Sequence, residues 1–468
     1  MQVSKTIKIE ATADEESIRS LDGQSRICNW LYNHLLDHAN ATKKQFFETK
    51  NPECAKTVYT KRGLRNCIPS LKEEYPFLKS VHSSPLKNAG LRLSSAIQAH
   101  QKSKQGKRKG KSGWPKFRAW KKSWFSLFYD EPAKGFKLEK EILTLSLGVD
   151  HNGKRLSCTL ALKEANLLIG HEIRNLRIVK ELEKIYAIFT VQVNHPQTKQ
   201  IKKIIAIDPN HKNFGVGIDN EGVSVEIAAP KWLNTFDKRI DELKSKRDRC
   251  IKKAKTLPVT DLQGLPTGKT YTAPSRNWTK RNKTLQTALY KRREQTKTFI
   301  CTVAGLLCRS YDCIAIGDYT PHGNGKGKKM RRAMNNRSLI GRFKAAVSWT
   351  AKKLGKTYIE YDEKNTTRSC SSCNYCHPTS LCPSIRKWQC PECQTIHQRD
   401  ENSAQNGLRG VLRDFSKNYE TIVSTVSGSD LVPVLERWAW SVLPSGVIPT
   451  LRGQSSTKVQ LQEIKLKT

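Results

Sequence analysis

Four cysteines in two closely spaced pairs are the clearest candidates for chemistry in this sequence. Cys370 and Cys373 form one C-x2-C pair, and Cys390 and Cys393 form a second pair after 16 intervening residues. Such spacing is typical of structural zinc sites, because each pair lets two sulfurs of one turn face the same tetrahedral ion. Between the pairs lie three further potential ligands, Cys376, His377 and Cys382. Four thiolates already complete a Zn2+ site, so we expect these three to be loop residues, although an exchanged ligand remains an alternative.

Two acidic residues stand where a catalytic metal could bind. Asp208 ends an apolar strand in the run IKKIIAIDPN, and a carboxylate buried there is costly unless a partner satisfies it. Taken alone, this run favours an aspartate that caps a turn over a metal ligand, and only the order of the later segments reverses that preference. Asp400 follows the second cysteine pair in HQRDEN and opens a predicted helix. Both residues are therefore candidate metal ligands.

The charge of the chain indicates a polyanionic partner. The sequence has 468 residues, with 83 Lys and Arg against 42 Asp and Glu, a formal net charge of +41. An excess this large favours nucleic acid over a merely solvated basic surface. No stretch reaches the roughly 18 apolar residues of a membrane-spanning helix, so we expect no membrane partner. The 14 cysteines and the absence of a signal peptide at the N-terminus predict a reducing compartment, the prokaryotic cytosol or nucleoid.

A basic segment at residues 102–122 is the best candidate for direct contact with nucleic acid. It contains ten Lys and Arg, no acid and three interleaved aromatic residues. Cations can neutralise phosphates while aromatic faces stack on unpaired bases. A charged loop whose aromatics pack into the next domain is an equally good interpretation. The candidate residues are Lys107, Arg108, Lys109, Lys111, Trp114, Lys116, Phe117, Arg118, Trp120, Lys121 and Lys122.

The N-terminal half divides into strand-like and helical segments. Residues 3–10 alternate apolar and polar side chains, as a half-buried strand does, and residues 13–104 carry apolar residues at helical spacing. Short strand-like segments follow within residues 105–200. We therefore predict a small β-barrel formed by residues 1–12 and 105–200, with residues 13–104 inserted as a helical domain.

From residue 201 the order of strands, helices and acids is that of an RNase H-like nuclease core. The predicted elements are a strand ending in Asp208, helices at 231–255 and 277–312 flanking an exposed loop at 256–276, a strand at 313–316, a helix at 338–354, a strand at 357–361 and a helix opened by Asp400. Such cores hold two Mg2+ ions roughly 3.5–4 Å apart and hydrolyse phosphodiesters. We assign residues 201–366 and 396–415 to this core, 367–395 to an inserted zinc ribbon and 416–468 to a C-terminal extension of unknown role.

Three segments of this core resemble the split RuvC segments of the transposon-encoded TnpB proteins and of their relatives, the miniature type V CRISPR effectors. The segments are residues 201–220, 313–320 and 357–410. The clearest similarities are IDPNHKN at 207–213 and HQRDENSA at 397–404. Weaker similarities in the N-terminal half are CNW at 28–30, PFL at 76–78 and WPKF at 114–117. In all, the resemblance covers roughly residues 1–415 and none of the C-terminal extension.

The resemblance implies a multidomain α+β protein that acts as an RNA-guided DNA endonuclease. A guide RNA would pair with double-stranded target DNA next to a short flanking motif. The β-barrel would be a wedge domain, the helical domain a recognition domain and the core a RuvC-like nuclease in which Asp208 and Asp400 bind Mg2+. The positive charge suits a protein that holds an RNA–DNA duplex by its backbone. Whether one or two copies bind each RNA stays open.

The third carboxylate departs from the family pattern. The family's second segment usually ends in a catalytic Glu, where this chain has Gly317, and Asp318 after it would point to the opposite face of the strand. Some members place this Glu at the end of the strand before the zinc ribbon, and here Glu360 and Glu363 lie at that place. Glu363 is our first choice. Asp318, Glu360 and a weak or inactive centre are the alternatives.

Two other functional classes stay open on the sequence alone. A guide-RNA-directed protein without nuclease activity would bind DNA as a repressor or targeting module. A conventional transposase would use its carboxylates for strand transfer and would need no RNA. Cleavage of a target in Mg2+, and its dependence on RNA, would separate these classes from the endonuclease.

Overall fold

The structure is a computed structural model, and it describes residues 2–108, 110–119, 124–194, 196, 201–211, 213–253, 255–260, 266–321, 327–379, 381–382, 384–418, 434–443 and 446–451. The chain folds into two compact units, Met1–Asn194 and His195–Thr468. No helix in the described ranges combines the length and the apolar character needed to cross a membrane.

The first unit opens with a strand and a run of helices. These elements are β1 (Gln2–Thr12), α1 (Glu15–Thr49), α2 (Pro52–Tyr59), α3 (Gly63–Asn66), α4 (Ile68–Glu74) and α5 (Ser83–Lys104). α1 begins where the Asp14 carboxylate accepts a hydrogen bond of 2.6 Å from the backbone N–H of Ser17, which satisfies one free donor of the first turn. The run IPSL at residues 68–71 predicts a turn, but α4 is helical there, because Ile68 and Leu71 are buried against the core of this unit.

A mostly antiparallel sheet completes the first unit. Its further strands are β2 (Leu127–Tyr129), β3 (Phe136–Glu139), β4 (Ile142–Val149), β5 (Arg155–Leu162), β6 (Glu172–Glu181) and β7 (Lys184–Asn194). The strand order is β2-β6-β7-β1-β5-β4-β3, so β1 pairs with strands from the far side of the helices. The sequence predicts strands at residues 124–128, 142–147, 156–162 and 185–193, which correspond to β2, β4, β5 and β7, whereas β3 and β6 were not predicted. The described ladders leave β2 and β3 as edges, whereas we expected a barrel.

The second unit is built on a mixed sheet. In chain order its elements are β8 (Ile204–Pro209), β9 (Gly215–Asp219), β10 (Val223–Ile227), α6 (Lys231–Arg249), β11 (Lys255–Thr260), β12 (Pro266–Ala273), α7 (Arg276–Ser310), β13 (Cys313–Gly317), α8 (Lys328–Arg332), α9 (Ile340–Leu354), β14 (Thr357–Tyr361), β15 (Lys387–Gln389), β16 (Ile396–Gln398), α10 (Arg399–Asn418), β17 (Glu436–Leu443) and β18 (Gly446–Leu451). The strand order is β14-β13-β8-β9-β10-β17-β18. β8, β13 and β14 are parallel, and β9 is antiparallel to both of its neighbours. The mixed α+β class predicted from the sequence is confirmed.

The two faces of this sheet pack against different helices. Ile205 and Ile207 of β8 join a core with α7 and α9, whereas Ile204 and Ala206 join a core with α10. Side chains alternate along a strand, so Asp208 continues the face that packs on α10. That face therefore carries the candidate catalytic residues.

Two segments differ from our expectations. β11 and β12 form an antiparallel hairpin in the segment that we predicted to be an exposed loop. In the C-terminal extension, β17 pairs in parallel with β10, with Trp438 opposite Val225, and β18 pairs with β17. The extension thus adds strands to the sheet of the second unit.

Candidate active site and zinc site

The carboxyl ends of three parallel strands meet at one edge of the sheet. Ile316 of β13 lies opposite Ile207 of β8, and Gly317 lies opposite Tyr361 of β14. One residue further along, Asp208 is level with Gly317. This shared edge is where open α/β sheets commonly bind ligands.

Asp208 is buried and lies close to two other acids. Its Oδ1 accepts a hydrogen bond of 3.1 Å from the Ser403 hydroxyl, which lies 2.9 Å from the hydroxyl of Thr366. Burial raises the pKa of Asp208 well above its ordinary value, and the negative charges of Glu363 and Asp400 raise it further. We did not predict this role of Ser403 from the sequence, although Ser403 lies three residues after Asp400 and therefore on the same face of a predicted helix.

The Glu363 side chain fills the space above Gly317. A Cβ built on Gly317 would lie 1.8 Å from Glu363 Oε1 and 2.4 Å from its Cδ. The Asp318 carboxylate accepts a hydrogen bond of 3.2 Å from the backbone N–H of Glu363 and so holds the start of this loop. Burial raises the pKa of Glu363 to about 7, although the backbone N–H of Tyr319 opposes the shift. Among the described residues, Glu363 Oε1 is buried and has no hydrogen-bond partner.

Glu360 lies on the other face of the sheet from Asp208. Its neighbour Tyr358 packs in the core with α7 and α9, whereas Ile359 and Tyr361 pack against the core with α10. The Glu360 carboxylate accepts a hydrogen bond of 3.0 Å from Tyr358 and lies 3.5 Å from Lys344 Nζ of α9. The structure thus brings Glu363, and not Glu360, towards Asp208.

Asp400 is the second residue of α10 and pairs with an arginine of the ribbon. Arg386 Nη1 donates to both of its carboxylate oxygens, at 2.9 and 3.2 Å. The two residues line a cavity of about 340 Å³, which Gln398, Glu401 and Asn213 also line. Arg386 could not be predicted as a partner of Asp400, because nothing in the local pattern indicates a contact between residues 14 positions apart.

Oxygen donors and burial make this edge suitable for a hard divalent cation. Mg2+ prefers carboxylate oxygens, and the unpartnered Glu363 Oε1 offers one. Asp208, Glu363 and Asp400 interact electrostatically, yet in the described part of the chain the only set of metal-ligating atoms all within 4.8 Å of one another is that of the four cysteines. The three carboxylates are therefore neighbours that do not yet converge on one point.

The four predicted zinc ligands form one cluster. Cys370 Sγ lies 3.6 Å from Cys393 Sγ, and Cys373 Sγ lies 3.6 Å from Cys390 Sγ. A tetrahedral ion with Zn–S bonds of about 2.3 Å separates its sulfurs by about 3.8 Å, so the cluster fits Zn2+. The backbone N–H of Ser372 points to Cys370 Sγ at 3.4 Å, as suits a thiolate.

The other donors of the ribbon lie outside this cluster. Cys376 and Cys382 are exposed, and His377 Nδ1 lies 2.9 Å from the carbonyl oxygen of Thr379. His397, in contrast, is buried with its Nε2 3.0 Å from Cys370 Sγ. It contacts a predicted ligand without being one and so helps to orient that sulfur.

The first turn of α10 is tied to the ribbon and to the C-terminal extension. The Asn402 side chain accepts a hydrogen bond of 2.9 Å from the backbone N–H of Ser371, within the first cysteine pair. Glu401 is buried and accepts hydrogen bonds from Ser224 at 3.1 Å and from Arg437 of β17 at 3.0 Å. Two segments distant in sequence therefore position the start of this helix.

Close packing brings α10 down onto the sheet. A Cβ on Gly407 would lie 2.4 Å from the Tyr361 ring, so this position requires glycine. The Tyr361 hydroxyl in turn donates a hydrogen bond of 3.0 Å to the carbonyl oxygen of Ile207, next to Asp208. The packing of Gly407 on Tyr361 therefore fixes the distance of Asp400 and Ser403 from the ends of the strands.

The basic segment belongs to the first unit, and its residues divide into two groups. Trp114 packs on the core, donates a hydrogen bond of 2.8 Å to Asn40 and lies under Lys43 Nζ at 4.0 Å. Arg118 Nε donates to Asn29 at 2.8 Å. The exposed residues are Lys107, Arg108, Lys111, Lys116 and Phe117. Outside the described residues lie Lys109, Trp120, Lys121 and Lys122.

Comparison with known proteins identifies one domain of the chain and its fold. Residues 341–406 match the family model described as Cas12f1-like, TNB domain. A Cas12f1 chain solved in complex with sgRNA and target DNA superposes with a TM-score of 0.54 at 12% identity, over 87% of this chain and 98% of that chain. A CasPhi-2 (Cas12j) chain bound to crRNA superposes with a TM-score of 0.34 at 11% identity, over 65% of this chain and 64% of that chain. No curated protein sequence matches. The matched domain and the fold shared with Cas12f1 confirm that this chain resembles the miniature type V CRISPR effectors.

Proposed function

We propose that this protein is an RNA-guided DNA endonuclease whose RuvC-like site consists of Asp208, Glu363 and Asp400. The observation that carries the proposal is the Glu363 carboxylate, which occupies the space over Gly317 on the same face of the sheet as Asp208. Glu363, which follows β14, would thereby supply the third carboxylate that is missing at Gly317, the end of β13.

Mg2+ is the metal that these carboxylates suit best. When bound, two such ions supply an activated water and stabilise the oxygen that leaves the phosphodiester. Ser403 orients Asp208 through its hydrogen bond to Oδ1, and Asp318 holds the backbone of Glu363. Asp400 would exchange its contact with Arg386 for the metal, which brings the three acids together.

The nucleic acid partners follow from charge and from likeness. A net charge of +41 suits a chain that binds a guide RNA and double-stranded target DNA along their backbones. The superposed Cas12f1 chain was solved with sgRNA and target DNA. By the same likeness we assign residues 1–12 and 105–200 to a wedge domain and residues 13–104 to a recognition domain. Residues 201–366 and 396–415 would form the nuclease domain, interrupted by the zinc ribbon.

A cleavage assay with a matched acid control tests the proposal. The protein is purified with co-expressed RNA, that RNA is sequenced, and a target plasmid complementary to it carries a randomised flanking segment. In Mg2+ the wild type should cut, and Asp208→Asn and Glu363→Gln should bind but not cut. Glu360→Gln removes an acid of the same segment from the other face of the sheet and should cut normally. Binding without cleavage by the wild type would refute the nuclease, and cleavage that survives removal of the RNA would refute guidance by RNA.

A guide-RNA-directed DNA-binding protein without nuclease activity is the second candidate. It is favoured by the pairing of Asp400 with Arg386, which engages one of the three acids that a nuclease would need at the metal. Arg386→Ala distinguishes the two candidates. If the protein is a nuclease, the Arg386→Ala variant should still cut its target. If the protein only binds DNA, both the wild type and Arg386→Ala should bind the target and neither should cut it.

A further inference from the structure

Two arginines of the first unit share one serine, and a third arginine lies beside them. Arg92 of α5 and Arg177 of β6 each donate a hydrogen bond to Ser126 Oγ, at 3.1 and 3.0 Å. The guanidinium of Arg92 lies 4.4 Å from the centre of the Phe125 ring, and that of Arg118 lies 5.1 Å from the same ring. Three elements distant in sequence therefore place like charges side by side.

No carboxylate balances the first two of these charges. Within the described residues, Ser126 Oγ is the only hydrogen-bond acceptor of Arg92 and of Arg177, and neither arginine forms a salt bridge. Burial lowers the pKa of Arg92, and the charges of Arg118 and Arg177 lower it further. Burial and the repulsion between neighbouring positive charges therefore both disfavour charged guanidinium groups this close together. A guanidinium has five N–H donors, so each arginine retains several for another partner.

Two other half-buried cations of this unit have acidic partners. Lys180, on the same strand as Arg177, lies 2.8 Å from the Asp22 carboxylate, and Lys8 of β1 lies 2.8 Å from Glu181. Arg92 and Arg177 have no such partner among the described residues, and their remaining donors and positive charge suit an anion from outside the chain.

We propose that this arginine cluster, Arg92 and Arg177 at Ser126 with Arg118 beside them, binds a backbone phosphodiester group of nucleic acid. Planar guanidinium groups match the oxygens of a phosphate in pairs, and the aromatic ring of Phe125 holds two of them in place. Arg118 belongs to the basic segment at residues 102–122, in which Lys111 and Lys116 are exposed. The inference deepens the proposed function and rests on its nucleic acid binding, but not on cleavage.

Charge-neutral variants with a same-strand control test the site. Arg92→Gln and Arg177→Gln each remove one cluster charge. Arg174→Gln removes an exposed arginine of β6 that instead contacts Glu172 at 3.4 Å and Gln192 at 2.6 Å. Two affinities are measured without Mg2+ at several salt concentrations. The first is that of the RNA-free protein for its resynthesised guide RNA, and the second is that of the RNA-loaded protein for target duplex.

The two binding measurements distinguish the source of the phosphate. Each cluster variant should lose about tenfold in affinity for one of the two nucleic acids. Its salt slope for that partner should fall by about 0.7 to 0.9, the loss expected for one phosphate contact. Weaker guide binding would identify RNA, and weaker duplex binding with normal guide binding would identify DNA. Affinities and slopes equal to those of Arg174→Gln for both partners would overturn the proposal.

Stability separates a binding role from a structural one. Removing one of three repelling charges should leave the melting temperature of the RNA-free protein unchanged or raise it. A folding defect lowers the fraction of active protein without changing the salt slope, so a wild-type slope overturns the proposal whatever the affinity. These measurements do not depend on cleavage. If the protein binds nucleic acid through this cluster but does not cut DNA, the proposed endonuclease activity is refuted and the proposed phosphate site is not.

Discussion

The space over Gly317 makes a specific prediction for the substitution Gly317→Ala. The added Cβ would lie 1.8 Å from Glu363 Oε1, and real Cβ contacts stay above 3.0 Å, so the carboxylate must retreat by at least about 1.2 Å. Gly317 does not have a positive φ, so alanine fits its backbone without strain. The substitution should therefore displace one side chain and leave the fold intact.

The expected effect is a loss of rate without a loss of binding. A reacting group misplaced by about 1 Å can cost about 100-fold in rate, and we expect a loss of that size for Gly317→Ala. The assay is single-turnover cleavage of the target plasmid by preassembled complex in Mg2+, with target affinity and melting temperature measured alongside. Gly341→Ala is the matched control, because no atom lies within 4 Å of a Cβ at that helical position. It should cut at the wild-type rate.

Two outcomes would refute the reasoning. Wild-type cleavage by Gly317→Ala would mean that the position of the Glu363 carboxylate does not matter to the reaction. Wild-type cleavage by Glu363→Gln would mean that this residue is not the third acid at all. The double variant Gly317→Glu with Glu363→Ala returns the carboxylate to the strand that carries it in most of the family, and it should recover part of the lost rate.

Three further predictions concern protons, zinc and the C-terminal strand. Because burial raises the pKa of Glu363 to about 7 and Mg2+ must displace its proton, the Mg2+ concentration for half-maximal cleavage should rise about tenfold from pH 8 to pH 6; a flat dependence would contradict this coupling. Cys390→Ser should abolish zinc binding, whereas Cys376→Ser should retain one zinc per chain by elemental analysis, and equal zinc contents would refute the ligand set. Arg437→Ala leaves the buried charge of Glu401 poorly compensated and should lower the free energy of unfolding in urea by about 1–2 kcal/mol, an effect that Glu401→Gln in the same chain should largely reverse.

Local sequence patterns were enough to locate the two aspartates and the four cysteines of the candidate sites. The apolar run before Asp208 specifies a buried strand, and the polar run around Asp400 specifies a helix start, so both acids could be located from their neighbours. The paired cysteines carry their own spacing rule, and the structure brings all four together. The prediction of each acid depends on fewer than about ten consecutive residues, and that of the zinc site depends on the spacing within residues 370–393.

Contacts between distant segments could not be predicted in the same way. β17 pairs with β10 although more than 200 residues separate them, and Arg437 reaches Glu401 only because of that pairing. Arg386 likewise meets Asp400 through the fold of the ribbon. Such contacts depend on strand order and register, which a single sequence specifies weakly for strands of this length.

The choice of the third acid shows how register adds to sequence. Glu360 and Glu363 lie three residues apart, so they leave the strand on opposite faces, but the sequence could not say which face meets Asp208. The core packing of Ile359 and Tyr361 against α10 supplies that information. It also gives Gly317 a role, since a side chain at that position would collide with Glu363.

The first turn of α10 connects every part of the candidate site, and each of its residues has a different partner. Asp400 pairs with Arg386 of the ribbon, Glu401 with Arg437 of the C-terminal strand, and Ser403 with Asp208 of the central strand; Asn402 accepts the backbone N–H of Ser371, beside a zinc ligand. Loss of zinc, loss of the C-terminal strand and loss of the Ser403 hydroxyl would therefore reach the proposed metal site by separate routes. Because Asn402 and Ser403 are adjacent in one helical turn, a shift of the zinc knuckle must also move the hydroxyl that orients Asp208. The ribbon thus acts on the proposed catalytic centre through position rather than through a ligand of its own.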